Sequence, residues 1–64
     1  MRFFGNAVIT NRNADVFSKA VNDAAEELCR DRNGPVRLDI RYSTQLDEGG
    51  MVYSAMILAY EEGK

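Results

Sequence analysis

Apolar residues fall into three patterns along this chain. Residues 51–60, MVYSAMILAY, form a near-continuous apolar run. The run is too short to cross a membrane and is rich in types that favour a pleated, buried strand. Residues 36–44, VRLDIRYST, alternate strictly, with Val36, Leu38, Ile40 and Tyr42 on one face and Arg37, Asp39, Arg41 and Ser43 on the other. This is the signature of a half-buried strand. Between them Gln45–Gly50 reads as a loop, whose Asp47-Glu48-Gly49-Gly50 core supplies the flexible positions of a hairpin turn. Residues 2–10, RFFGNAVIT, predict a further strand. In it Phe3, Gly5, Ala7 and Ile9 share a face, and the small Gly5 and Ala7 let a helix lie close to that face.

The third pattern is helical. Phe17, Ala20, Val21, Ala24 and Leu28 recur at helical spacing, and Lys19, Asn22, Asp23, Glu26, Glu27 and Arg30 occupy the opposite, solvated side. Asn13 is a good N-cap and Asp15 places a negative charge in the first turn, where it suits the helix dipole. Asn33-Gly34-Pro35 is expected to end the helix, with Gly34 able to take the left-handed cap conformation and Pro35 unable to continue. That gives about five turns.

The order strand, helix, strand, strand predicts one α+β domain over residues 1–64. The last strand is apolar on both faces, so it belongs in the centre of a three-stranded antiparallel sheet of order 1-3-2, with the helix on one face. An even-numbered hairpin loop pairs even residues of the second strand with odd residues of the third. Met51, Tyr53, Ala55, Ile57 and Ala59 then lie under the helix with Leu38 and Ile40. Val52, Ser54, Met56, Leu58 and Tyr60 point to the open face. So large an apolar row on a small domain calls for a cover, and Val52, Met56, Leu58 and Tyr60 are the expected oligomer interface.

Size reinforces this. A 64-residue chain buries only about 60% of the surface its unfolded form exposes. A core so small rarely supplies more than about 3–5 kcal/mol. One cysteine, Cys29, allows no internal disulfide, and the absence of histidine removes the usual metal ligands. Oligomerisation is the stabiliser left. The lone thiol and an N-terminus that reads as a strand rather than a signal peptide predict a cytoplasmic protein with no membrane partner. A net charge of −2 argues against generic nucleic-acid binding, which requires a basic face.

The same composition bears on chemistry. Without histidine there are no Ser-His-Asp triads or Cys-His dyads, and Glu26-Glu27, Asp47-Glu48 and Glu61-Glu62 are sequence neighbours whose side chains diverge. Cys29 reads as a small apolar residue flanking the helix stripe. The chain is not expected to be an enzyme or to carry a cofactor. One constellation remains. Parallel first and second strands bring Asn11, Arg12 and Asn13 to the sheet edge that holds Arg41 and Ser43, and the start of the third strand near Tyr53 arrives there too. Helix N-terminal amides and arginines suit phosphate, and Tyr42 or Tyr53 offers a ring for stacking. The plainer reading is that Arg37, Asp39 and Arg41 neutralise one another on a solvated strand and the tyrosines belong to the core.

Leu38, Asp39, Ile40 and Tyr42, followed by Tyr53, Ser54, Ala55, Met56 and Ile57, resemble the pattern of small sporulation proteins of spore-forming bacteria and their phage-borne relatives. The resemblance implies a fold and no activity. Ala20-Val21-Asn22-Asp23-Ala24 is similar to the helix start of dodecins, flavin-binding proteins of the same element order. That similarity implies sheet-mediated oligomers with ligand sites between subunits. Dodecins stack flavin on a tryptophan, and this chain has none. The expectation is a homo-oligomer that binds or sequesters a small anionic, nucleotide-like ligand at subunit interfaces, as a phage sponge of host immune signals does. The alternative is an interaction module whose open face engages a host or sporulation protein.

Overall fold

The computed structural model describes residues 1–30, 32 and 34–62. The elements run β1 (Arg2–Asn11), α1 (Ala14–Cys29), β2 (Val36–Asp47) and β3 (Gly50–Glu61). The three strands form one sheet of order β1-β3-β2, with β3 antiparallel to both neighbours. The most apolar strand is central because only there are both of its edges and one of its faces covered.

Register follows the predicted parity. Leu38 faces Ala59, Ile40 faces Ile57 and Tyr42 faces Ala55. On the other side Ala7 faces Ile57 and Ile9 faces Ala55. Against this face α1 packs Phe17 and Val21, which with Ala55, Ile57 and Ala59 are the buried core. Ala7, Ile9, Ala24, Leu28, Leu38, Ile40 and Tyr53 surround it, partly buried. The helix rests on β1 and β3 and leaves β2 to the side. Gly5 makes room for it, since a β-carbon there would lie 3.1 Å from Leu28 Cδ2.

Several boundaries differ from expectation. The hairpin is tighter, because β2 continues through Gln45, Leu46 and Asp47 before turning at Glu48-Gly49. Leu46 extends the apolar alternation of β2 and finds Met51 directly opposite, so the ladder continues where a loop was expected, and Met51, expected under the helix, is instead exposed beside the hairpin tip. Gly50 then takes φ 108°, a backbone region that costs a side-chain-bearing residue dearly.

The helix is shorter than five turns and ends at Cys29, with Arg30 as an extended cap whose N–H still reaches the Glu27 carbonyl at 3.3 Å. The apolar stripe ends at Leu28, so continuing the helix would bury nothing more. The helix thus stops before the expected Asn33-Gly34-Pro35 signal, of which Asn33 lies outside the described residues. Cys29 is exposed, not a buried flank of the stripe.

Phe3 is also displaced. A register shift between Phe3 and Gly5 sets Phe3 opposite Tyr60, on the open face, rather than under the helix with Gly5. The extra residue of a bulge reverses the alternation beyond it. The Phe3 and Tyr60 rings meet edge to face at 5.8 Å. Phe4 instead receives the Arg32 guanidinium over its ring at 3.7 Å, and Arg32 also reaches Glu61 at 3.3 Å.

Candidate functional site

The residues predicted to form one anion site occupy two separate places. At the first, the short connection from β1 to α1 satisfies its own polar groups. Asn11 Oδ1 accepts from the Asn13 N–H at 2.8 Å, and Asn13 Oδ1 accepts from the Val16 N–H at 3.0 Å as the helix cap. Arg12 reaches past the start of β3 and grips Asp47, with Nη1 and Nη2 each 2.7 Å from a carboxylate oxygen. This bidentate bond holds the Asp47 carboxyl below the usual carboxylate range, aided by the Gly49 N–H on the same carboxylate, and raises Arg12 further. Arg12 is therefore a partner within the fold rather than a free cation. Tyr53, opposite Asn11 in the ladder, packs its ring 5.7 Å from Phe17 under the helix.

Arg41 and Ser43 lie elsewhere. In the ladder Arg41 is level with Met56 and Val8, and Ser43 with Ser54 and Thr10. Asn11 is level with Thr44, three rungs and about 10 Å further along the sheet than Arg41. The partner of Arg41 is Asp39, at 3.4 Å, on the side away from Arg12. The two arginines thus turn away from each other along the sheet.

Around Arg41 the open face forms a shallow groove of about 410 Å³, lined by Val8, Arg41, Tyr42, Ser43, Ser54, Ala55 and Met56. One wall is apolar, from Val8 and Met56. The other carries two hydroxyls directly opposite each other, Ser43 and Ser54. Arg41 stands at the rim with its side chain 72% exposed and, among the described residues, only the longer contact to Asp39. Val8, Ser54 and Met56 were absent from the predicted site. Their signal was available, since the parity that put Val52, Met56, Leu58 and Tyr60 on this face also sets Ser54 and Met56 beside Ser43 and Arg41.

The predicted interface residues Val52, Met56, Leu58 and Tyr60 share this open face with Val8 and Phe3. Val8 is 63% exposed and Met56 44%. The molecule measures 48 × 17 × 11 Å, a thin plate with its one helix on the opposite side.

Among the described residues no helix is long and apolar enough to cross a membrane, and no three His, Cys, Asp or Glu residues gather as metal ligands. Comparison with protein-family models, curated proteins and solved structures finds no match.

Proposed function

We propose that this chain is a non-enzymatic homo-oligomer that binds and sequesters a small anionic, nucleotide-like ligand in the open-face groove, at the border of the contact between subunits. The observation that carries the reading is the composition of that face. A guanidinium, two facing hydroxyls and an apolar wall converge on one groove, and an apolar strip continues from it through Leu58 to Phe3 and Tyr60. Arginine suits phosphate because its planar fork meets two oxygens at once. The hydroxyls suit a ribose, and Val8 with Met56 suits the face of a base. The strip beyond is an exposed apolar surface of the kind that a second copy covers.

The proposal places the ligand on Arg41 and Ser43 and sets Arg12 aside, because Arg12 already holds Asp47. Titration calorimetry with ADP-ribose and with cyclic di-AMP tests it. Arg41→Ala is expected to weaken binding of whichever probe binds by about 10–100-fold, the loss typical of a charged hydrogen bond, and Arg12→Ala is expected to leave it unchanged. Loss of binding in Arg12→Ala with retention in Arg41→Ala would move the site to the helix start. Met56→Asp is expected to break the open-face contact and reduce the size of the oligomer. If Met56→Asp leaves the oligomer intact and instead removes a different protein that co-purifies with the wild type, the open face belongs to that partner.

A further inference from the structure

The outer edge of β2 is a second, separate surface. Among the described residues, in the order β1-β3-β2, the strand has a neighbour on one side only, so one row of its backbone N–H and C=O groups is open to template another strand. Proteins usually blunt such an edge with charged side chains, a bulge, a proline, a short strand or a covering element. The edge of β1 is blunted by the irregularity between Phe3 and Gly5 and by the helix beside it. The edge of β2 carries charges of both signs, Arg37, Asp39, Arg41 and Asp47, but no break or cover. It runs without a break from Val36 to Asp47 and contains no proline, and the helix does not cover it. Every residue from Arg41 to Asp47 is exposed, including Tyr42 at 63% and Leu46 at 75%.

We propose that β2 pairs antiparallel with β2 of a second copy about a two-fold axis at Tyr42, joining two sheets into one of six strands. The side chains of β2 select this occupant and this register. Residues that meet across the edge must share a face, or the apolar row of one copy would lie against the charged row of the other. With the axis at Asp39 or Arg41, identical charges meet at the centre, and with the axis at Ser43, Asp39 meets the partner's Asp47. Like charges directly opposite are destabilising. Axes at Ile40, Tyr42 and Thr44 remain, and Tyr42 pairs the longest stretch of the strand, Arg37 to Asp47. Arg37 then faces the partner's Asp47, Leu38 faces the partner's Leu46, and Tyr42 meets its own copy. An axis at Ile40 leaves Leu46 with no partner, and an axis at Thr44 leaves Leu38 with none within the strand.

The pairing does not rest on the ligand reading, but it deepens it. Arg41 comes to lie opposite the partner's Ser43, so the two open-face grooves become continuous across the new edge. Such a site, with an Arg41 from each copy, suits a ligand carrying two phosphates. It also leaves the apolar open face free for the separate contact proposed above.

The test uses the full chain with Cys29→Ser, which removes the exposed native thiol. Tyr42→Cys in that background is expected to form an inter-subunit disulfide under mild oxidation, because directly opposed residues have Cα atoms about 4.5–5.5 Å apart. Thr44→Cys, on the same face, is expected not to cross-link, since its mates stand roughly 13 Å apart along the strand. A spin label on Gln45→Cys reads the same contact without disulfide geometry and is expected at roughly 20 Å, against roughly 33 Å for an axis at Ile40 and roughly 7 Å for one at Thr44. A different label distance, no inter-subunit distance, or cross-linking of Thr44→Cys in place of Tyr42→Cys overturns the proposal. Adding Met56→Asp separates the two contacts. The Tyr42→Cys cross-link is expected to survive it, and its loss there would make the edge pairing a by-product of the open-face contact.

Discussion

Arg12 and Asp47 meet through two parallel bonds of 2.7 Å each, although they stand 35 residues apart at the ends of the two outer strands. The pair spans the start of β3 and ties the β1–α1 connection to the hairpin tip. Asp47 also accepts from the Gly49 N–H at 2.9 Å, so one carboxylate fixes both the turn and the approach of Arg12.

Gly49 is part of the same device. A β-carbon there would lie 2.8 Å from Arg12 Nη1, and Arg12 would have to swing away from Asp47 to admit it. Arg12→Ala and Gly49→Ala are therefore expected to speed amide exchange at the hairpin tip to a similar degree, with the double variant no faster than either single one, as coupled residues behave. Additive acceleration, measured by hydrogen-exchange mass spectrometry, contradicts the shared mechanism.

Acid acts on the same pair. The Asp47 carboxyl, held by Arg12, titrates below its ordinary value of 3.8. A carboxyl depressed in the folded state adds stability that is fully present above its unfolded pKa and drains as pH falls through the folded one. The wild type is expected to melt slightly above Asp47→Asn by a constant margin from pH 7 to pH 5, and the margin is expected to shrink below about pH 4. A margin that persists unchanged to pH 2.5 contradicts the assignment.

Gly5 tests the packing of helix on sheet. Leu28 Cδ2 occupies the space beside it at 3.1 Å, so alanine requires a small shift of a flexible methyl and valine requires the helix to move. Gly5→Val is expected to destabilise by about 1–3 kcal/mol in urea denaturation, as overpacking does, and Gly5→Ala by less. A neutral Gly5→Val contradicts the close approach.

The fold was legible because parity and periodicity are local. The apolar run at 51–60 could only be central, the alternation of Leu38, Ile40 and Tyr42 fixed which face β2 buries, and Asn13 marked the helix start. Features that depend on one extra residue were not legible. Two consecutive phenylalanines, Phe3 and Phe4, do not say which one turns inward, and the bulge decided it. The helix end depended on where apolar contact ran out after Leu28, which the Asn33-Gly34-Pro35 signal did not mark. The candidate site was half legible for the same reason. Facing residues of the open side followed from parity, but the partner of Arg12 depended on β2 reaching as far as Asp47, beyond the expected end of the strand. Once Arg12 is committed there, the more loosely held charge of the candidate site is Arg41, whose contact to Asp39 is 3.4 Å long.

Native mass spectrometry of the gently purified protein, beside its Met56→Asp variant, tests the central claim most directly. The account predicts a defined oligomer for the wild type, with a nucleotide-sized adduct when the ligand is present, and a smaller species for the variant. A wild type that stays monomeric at micromolar concentration would contradict it.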